Sequence, residues 1–531
     1  MKSVLRNATV WAVALGVTAG QALQAQGPTP ATPAQSQLPI DRYVVGQARP
    51  PELPGQTLRD VTLEEAMAIA LENNLELKVA RMNPQSVDYQ LQSAHAVFQP
   101  QITSSYSYRN SQSPSNNALE GVANLTNTTT GFNGGMNQQL PWYGTSFQAS
   151  FTNSRQATND ITRRINPSFT SGLSFSASLP LLANFKMDNQ RNQLRTLAIS
   201  RQVSDINLVQ TIENTKSAVR SAYWALRAAI EQIEINRIAL AIAKKSYDDS
   251  LLKVEIGTMA PIDTTQFDVS LANAEQGYLQ SQISWRTAEL NLKRLIVSGT
   301  DDEVYLMTLS PTSRPELSVQ SVDIQAAVTK ALAERTDLAV ARRNIDSSRL
   351  SLEVTAGQLK PNLTLNGGYS ATGQGGTEKT NTGTIPGGYW DALRSTYGFE
   401  LPTWNFGFNF TYPIGMRAAK ANYARSVLLI DQSITQLKAQ ELQISTQVIN
   451  AGLNVENTYK LYQASIKTRE AAERNANAAQ VRFDNGMLTN FEVVTIQNQL
   501  TTARLGELSR LLNYINAIAE FERVQKVGAG G

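Results

Sequence analysis

Two periodicities divide this chain. In residues 403–414, TWNFGFNFTYPI, every second residue is aromatic (Trp404, Phe406, Phe408, Phe410, Tyr412), with Asn405, Gly407, Asn409 and Thr411 between them. A period of two belongs to an extended strand, so the rings share one face and the small polar groups the other. The segment SFTSGLSFSASLPL repeats this arrangement: Phe169, Leu173, Phe175, Ala177 and Leu179 oppose Thr170, Ser174, Ser176 and Ser178. Leu363, Leu365, Tyr369 and Ala371 oppose Asn362, Thr364, Asn366 and Ser370, and Ile102, Tyr106 and Tyr108 oppose Thr103, Ser105 and Ser107. These make four clear strands. Segments near 131–140 and 145–151 alternate more weakly, and can be either additional strands or an extended external hairpin.

The other periodicity is helical. Leu181 to Ile256 contains neither proline nor glycine, and Met416 to Asn485 contains only Gly452. Those residues break helices, so each stretch of about 70 residues allows a helix near 100 Å long at ~1.5 Å per residue. Val219, Ala222, Leu226, Ala229 and Ile233 step by three and four, the spacing of a coiled-coil seam. Amphipathic helices are expected over about 61–98 and 322–358, ending at Pro100 and Pro361.

The two periodicities recur because the chain is duplicated. Residues 61–81 (VTLEEAMAIALENNLELKVAR) align without gaps on 322–342 (VDIQAAVTKALAERTDLAVAR), 261 positions later, and the same offset carries Pro100 onto Pro361. Residues 257–275 match 486–504 at an offset of 229. The expected organisation is a first repeat over 59–299, a connection over 300–321, a second repeat over 322–527 and a tail over 528–531. Within the repeats, strands and an external loop occupy about 100–180 and strands about 361–413. Glycine turns at 255–263 and 484–492 join each long helix to a second one. The polar stretches 109–130 and 372–388 are expected as loops.

Composition adds an address. Met1, Lys2 and Arg6 precede an apolar run from Ala8 to Ala19 and small residues to Ala25, the order of a secretory signal peptide (1–25). A Pro-rich linker follows over 26–58. The formal charge of the chain is +3, which gives no reason to expect a nucleic-acid partner. It has no cysteine and one histidine, and neither a cofactor nor a metal site is expected. The polar strand faces carry Ser, Thr, Asn and Gly instead of the Lys and Glu of a soluble sheet. That pattern suits a membrane barrel with its rings against lipid and its hydroxyls and amides toward water. Four strands cannot enclose a water-filled lumen, so several copies must share one.

With the duplicated TLEEAMAIALENN and IQAAVTKALAERT openings, SLPLLANF, SAYWAL and the two glycine turns in this order, the chain resembles the TolC-type outer-membrane efflux family over roughly 59–527. The resemblance implies a mixed fold: a membrane β-barrel shared by a homotrimer, twelve strands in all at four per chain, above a tunnel of long periplasmic helices. It also implies an exit duct for an inner-membrane pump (RND or ABC type) reached through a periplasmic adaptor, the membrane fusion protein. The compartment is then the outer membrane of a diderm bacterium.

On this reading Phe169, Phe175, Trp404, Phe406, Phe408, Phe410 and Tyr412 face lipid, and Ser174, Ser176, Asn405, Asn409 and Thr411 face the lumen. The glycine turns form the periplasmic tip. There Thr489 and Glu492 have the spacing of a capping box, and Pro261 falls at a first helical position. Asp263 aligns with Glu492. Repeated by symmetry, Asp263, Glu492 and Asp484 are candidates for an acidic entrance ring. Lys253, Gly257, Arg482, Gly486 and Thr489 resemble the family's adaptor-facing pattern. Some members lock the tip with a basic residue two positions beyond the second glycine, where this chain has Leu488. The alternative from another class is a non-conducting periplasmic coiled-coil scaffold. Catalysis finds little support, because the pairs Asp248-Asp249 and Asp301-Asp302 read as solvated surface.

Overall fold

A computed structural model of the chain describes residues 48–51, 57–115, 121–314, 322–380 and 382–528. The chain divides into Met1–Tyr43 and Val44–Gly531. The first unit, with the expected signal peptide and most of the 26–58 linker, lies outside the described residues. No described helix is long and apolar enough to cross a membrane.

Each half opens with a bent pair of helices instead of the single one expected. Helices α1 (Leu63–Asn73) and α2 (Leu75–His95) meet at Asn74, and α6 (Ile324–Glu334) and α7 (Thr336–Gly357) meet at Arg335, 261 positions on. Asn74 leaves the helical region and caps the helix it begins: its Oδ1 accepts from the Leu77 N–H at 2.9 Å, while its Nδ2 donates to Leu295 O at 3.0 Å. Arg335 offers no such cap. Its buried guanidinium donates to Asp337 at 2.8 and 3.1 Å, to Val524 O at 3.0 Å and to Gln447 at 3.2 Å. The apolar stripe runs through both bends, which is why periodicity alone did not mark them.

The long helices are as expected: α3 (Asn189–Glu255) has 67 residues and α9 (Arg417–Asp484) has 68. Each folds back along a partner, α4 (Thr264–Ile296) and α10 (Asn490–Val524). Val219, Leu226, Ala229 and Ile233 of the seam are buried with Tyr223 against Trp285, Leu292 and Ile296 of α4 and Ala66 and Ala70 of α1. A small belt joins this core. Strand β1 (Leu58–Val61) runs parallel to β6 (Thr308–Pro311), beside the short α5 (Glu303–Leu306). The Tyr223 hydroxyl donates to Val61 O at 3.0 Å and accepts from the Ser313 N–H at 2.9 Å. Leu58 therefore belongs to the belt and not to the linker, and 315–321 of the expected connection lies outside the described residues.

The remaining strands form one antiparallel sheet in the order β2 (Gln101–Pro114), β3 (Asn124–Gln139), β4 (Ser146–Thr158), β5 (Ile165–Pro180), β7 (Asn362–Thr380) and β9 (Pro402–Thr411). A short β8 (Gly383–Ile385) pairs with the end of β7, and α8 (Tyr389–Tyr397) precedes β9. One expectation is corrected: residues 109–114, 124–130 and 372–380 are strand instead of loop. The segments near 131–140 and 145–151, open between strands and a hairpin, are strands, so the chain contributes six long strands among its described residues, within the four or more expected. Strand β3 hid because Thr, Asn and Gly fill both of its faces, leaving little contrast for period-two reading and poor strand propensity.

Candidate functional site

The sheet register fixes its two faces. Across the strands Tyr106 pairs with Phe132, Phe132 with Asn153, Leu173 with Phe151 and Ala371, Phe175 with Tyr369, and Tyr369 with Trp404. Directly paired residues point to the same side, so Phe169, Phe175, Trp404, Phe406, Phe408 and Phe410 share one face. Trp404, Phe406, Phe408 and Phe410 are 62–76% exposed in the chain. Tyr412 lies one residue beyond the end of β9. Ser174, Ser176, Asn405, Asn409 and Thr411 share the opposite face. Toward the foot of the sheet the polar side lines a hollow of about 500 Å³ that includes Gln101, Asn137, Gln148, Ser176, Asn366 and Asn405.

Helix α8 covers part of the aromatic face. The Tyr389 ring stands 6.4 Å from Phe169 and its hydroxyl donates to Asn153 Oδ1 at 3.0 Å, while Tyr397 lies 6.3 Å from Phe151. Buried Thr396 reaches Ser171 O at 3.0 Å. Two glycines seat the helix. A Cβ on Gly373 would stand 2.0 Å from Ala392 O, and one on Gly375 would stand 2.3 Å from Gly388 O. Phe169, on the ring-rich face, is half-buried beside Tyr389.

At the other end of the molecule the long helices turn. Gly257 (φ +76°) and Gly486 (φ +72°) take the left-handed conformation in which a Cβ is strained, closing α3 and α9 as C′ residues. The Met487 N–H reaches Arg482 O at 2.8 Å, and the Thr258 N–H reaches Lys253 O at 2.8 Å. Thr489 then starts α10 with a full capping box. Its N–H and hydroxyl donate to Glu492 Oε2 at 2.9 and 2.7 Å, and the Glu492 N–H returns to Thr489 Oγ1 at 3.4 Å. The backbone N–H of Thr489, and then its hydroxyl, hold the Glu492 carboxyl below the usual glutamate range.

The first turn is built differently. Pro261 opens a short 3₁₀ turn that runs straight into α4, and Asp263 accepts no capping hydrogen bond. Asp263 and Glu492 are therefore equivalent in sequence but not in bonding. Asp484 accepts from Gln480 one turn back at 3.0 Å. Half-buried Lys253 places its Nζ 3.9 Å over the Phe483 ring, which lies 6.2 Å from Phe267. Asn490 donates to Met259 Sδ at 3.7 Å, so the two turns touch. Lys253 is thus engaged within its own chain, while Arg482 is exposed.

Sequence reading passed over Phe483 and a set of apolar side chains flanking the turns. Leu252, Ile256, Ile262, Met487 and Phe491 are 58–76% exposed. Their signal was available: large apolar residues beside glycine turns, where polar ones are usual.

The comparisons with known proteins agree with this architecture. The sequence profile described as Outer membrane efflux protein matches residues 67–297 and 327–523. Outer membrane protein TolC of Vibrio cholerae is 22% identical over 317 residues, covering 57% of this chain and 66% of that protein. The chain thus spans a little under two thirds of the curated relative it matches. Among solved structures, the Campylobacter jejuni CmeC outer membrane channel superposes with a TM-score of 0.62 at 16% identity, over 87% of this chain and 85% of that one. VceC of Vibrio cholerae gives 0.63 at 12% identity, over 87% and 96%. The open state of the Neisseria gonorrhoeae MtrE channel gives 0.60 at 17%, over 88% and 89%.

Proposed function

The chain belongs to the outer membrane efflux protein family, and from that premise we propose that it is a passive exit duct assembled from three copies. Its compartment is the outer membrane, with the long helices reaching through the periplasm. One observation carries the reading: a sheet with a ring-rich face and a polar face made mostly of Ser, Thr, Asn and Gln continues directly into two long helices, each about 100 Å at ~1.5 Å per residue. In hydrocarbon the first face is stable only toward lipid and the second only toward water. Energy for transport comes from an inner-membrane pump, RND or ABC type, and a periplasmic adaptor joins pump to duct. The exposed Ile256, Ile262, Met487 and Phe491 suit adaptor docking at the tip, because apolar groups standing together in solvent mark association surfaces. Asp263, Glu492 and Asp484, each present three times around a narrow end, favour cations at the entrance.

The test is fractionation followed by planar-bilayer recording. The duct reading expects outer-membrane protein that resists carbonate extraction, runs as a trimer and conducts with cation preference. Protein that washes off with carbonate and never conducts would instead establish the periplasmic scaffold.

A further inference from the structure

We propose that β3 and β4 form a membrane-crossing hairpin inserted into the barrel wall. On the trimeric reading above, on which this rests, six strands in each of three copies close an eighteen-stranded barrel. The resemblance led to an expectation of twelve.

Four observations converge on the hairpin. Strands β3 and β4 have 16 and 13 residues, more than the roughly 9–11 that a tilted strand needs to cross hydrocarbon. They are in continuous register with β2 on one side and β5 on the other, so they widen the sheet from within. They keep its two faces: Met136 and Ala149 pair on the aromatic side, and Asn137 and Gln148 on the polar side. Finally, their connecting turn ends at the foot of the sheet. Tyr143 stacks on Phe185 with ring centroids 4.6 Å apart, and a Cβ on Gly144 would lie 3.1 Å from Asp188 Oδ2, the N-cap of α3. Trp142 beside them is 66% exposed, at the level where an aromatic girdle meets the inner leaflet surface.

Closure then follows from the edges. Among the described residues, strands β2 and β9 each have one unpaired side, and an open edge is not tolerated in lipid. The strand count is even, so β9 of one copy meets β2 of the next antiparallel. Matching the ring-rich faces requires even-numbered residues to pair with even, such as Tyr106 beside Phe406. A strand spacing of ~4.8 Å and a tilt of ~40° make an eighteen-stranded barrel ~35 Å across between backbones, against ~24 Å for twelve strands. The outer mouth is then a vestibule wide enough for bulky polar cargo.

The absence of cysteine makes single-cysteine labelling clean. In outer-membrane vesicles holding the SDS-resistant trimer, a membrane-impermeant maleimide should label Asn137→Cys and Gln148→Cys and spare Met136→Cys and Ala149→Cys. Labelling at all four positions would place the hairpin in water and overturn the proposal even if the trimer stands. Separately, Ser105→Cys combined with Asn405→Cys, Gly407→Cys or Asn409→Cys should give oxidised trimers for at least one partner. No intermolecular cross-link with any of them, in protein that runs as a monomer, would remove the trimeric reading itself. Deleting 116–163 should leave an assembled channel that excludes polyethylene glycols the full-length mouth admits from the outer side. Equal exclusion limits would overturn the wide vestibule.

Discussion

Arg335→Gln should destabilise the junction where the second repeat bends and the chain end docks. The buried guanidinium holds two oxygens of Asp337 and the carbonyl of Val524, which closes α10. Removing one partner of a buried pair costs about 3–5 kcal/mol, because the other charge stays buried. Asp337 keeps 22% of its side chain exposed, so screening favours the low end, about 3 kcal/mol. Burial pushes the Asp337 carboxyl up, but the Arg335 hydrogen bonds and charge, with the Leu338 N–H, more than offset this and leave it below the ordinary range. A depressed folded value means that the pair's contribution is complete above the unfolded pKa and is lost as pH falls through the folded one. Denaturant midpoints of the detergent-purified protein, followed by circular dichroism across pH, measure both effects. The variant should lose the share of the acid-dependent profile that Asp337 supplies. Arg335→Gln with Asp337→Asn should recover part of the loss by removing the unpaired carboxylate. A single variant within about 1 kcal/mol of wild type, or a double variant no better than the single, would refute this account.

Asp263→Asn with Glu492→Gln keeps side-chain shape at both turns while removing charge, and should lower cation preference in bilayer reversal potentials. Because Glu492 is held below the usual range, preference due to it should persist into acid where an unperturbed glutamate would already be neutral. Thr489→Ala should cost α10 about 1 kcal/mol of cap stability and move that acid limit upward, read by the pH dependence of the same potentials. Phe483→Ala removes the ring beneath Lys253 and should speed hydrogen exchange across 253–267. Gly373→Val cannot coexist with Ala392 O at its present position, so α8 should lift from the sheet and become cleavable by added protease in vesicles.

Much of this was legible because duplication made each reading check the other. The second long helix was bounded to one residue at each end and the first to one residue at its C-terminal end but eight at its start, since proline and glycine punctuate them, and the offset of 229 carries Asn189–Glu255 onto Arg417–Asp484 to within one residue. Strands β5 and β9 announced themselves by rings against hydroxyls and amides. Strand β3 did not: Thr, Asn and Gly suit both a water-lined wall and a loop, and only pairing distinguishes the two. The capping box at Thr489 was readable from spacing, whereas the packing of Tyr389 beside Phe169 and the placement of Lys253 over Phe483 depend on contacts between distant segments. The bends at Asn74 and Arg335 lie in uninterrupted apolar stripes, where periodicity is blind.

Those bends occupy matching places yet rest on unlike chemistry. One has an amide that caps its own helix, the other a buried cation reaching to the end of α10. Part of the fastening was copied with the backbone trajectory, since Arg81 donates to Leu71 O at 2.8 Å and Arg342 to Leu332 O at 3.2 Å across the two bends, but the tie made by Arg335 was not. As a result, the second bend alone is tied through a buried ion pair to the end of α10, and unwinding that helix end should loosen one shoulder of the shaft more than its twin.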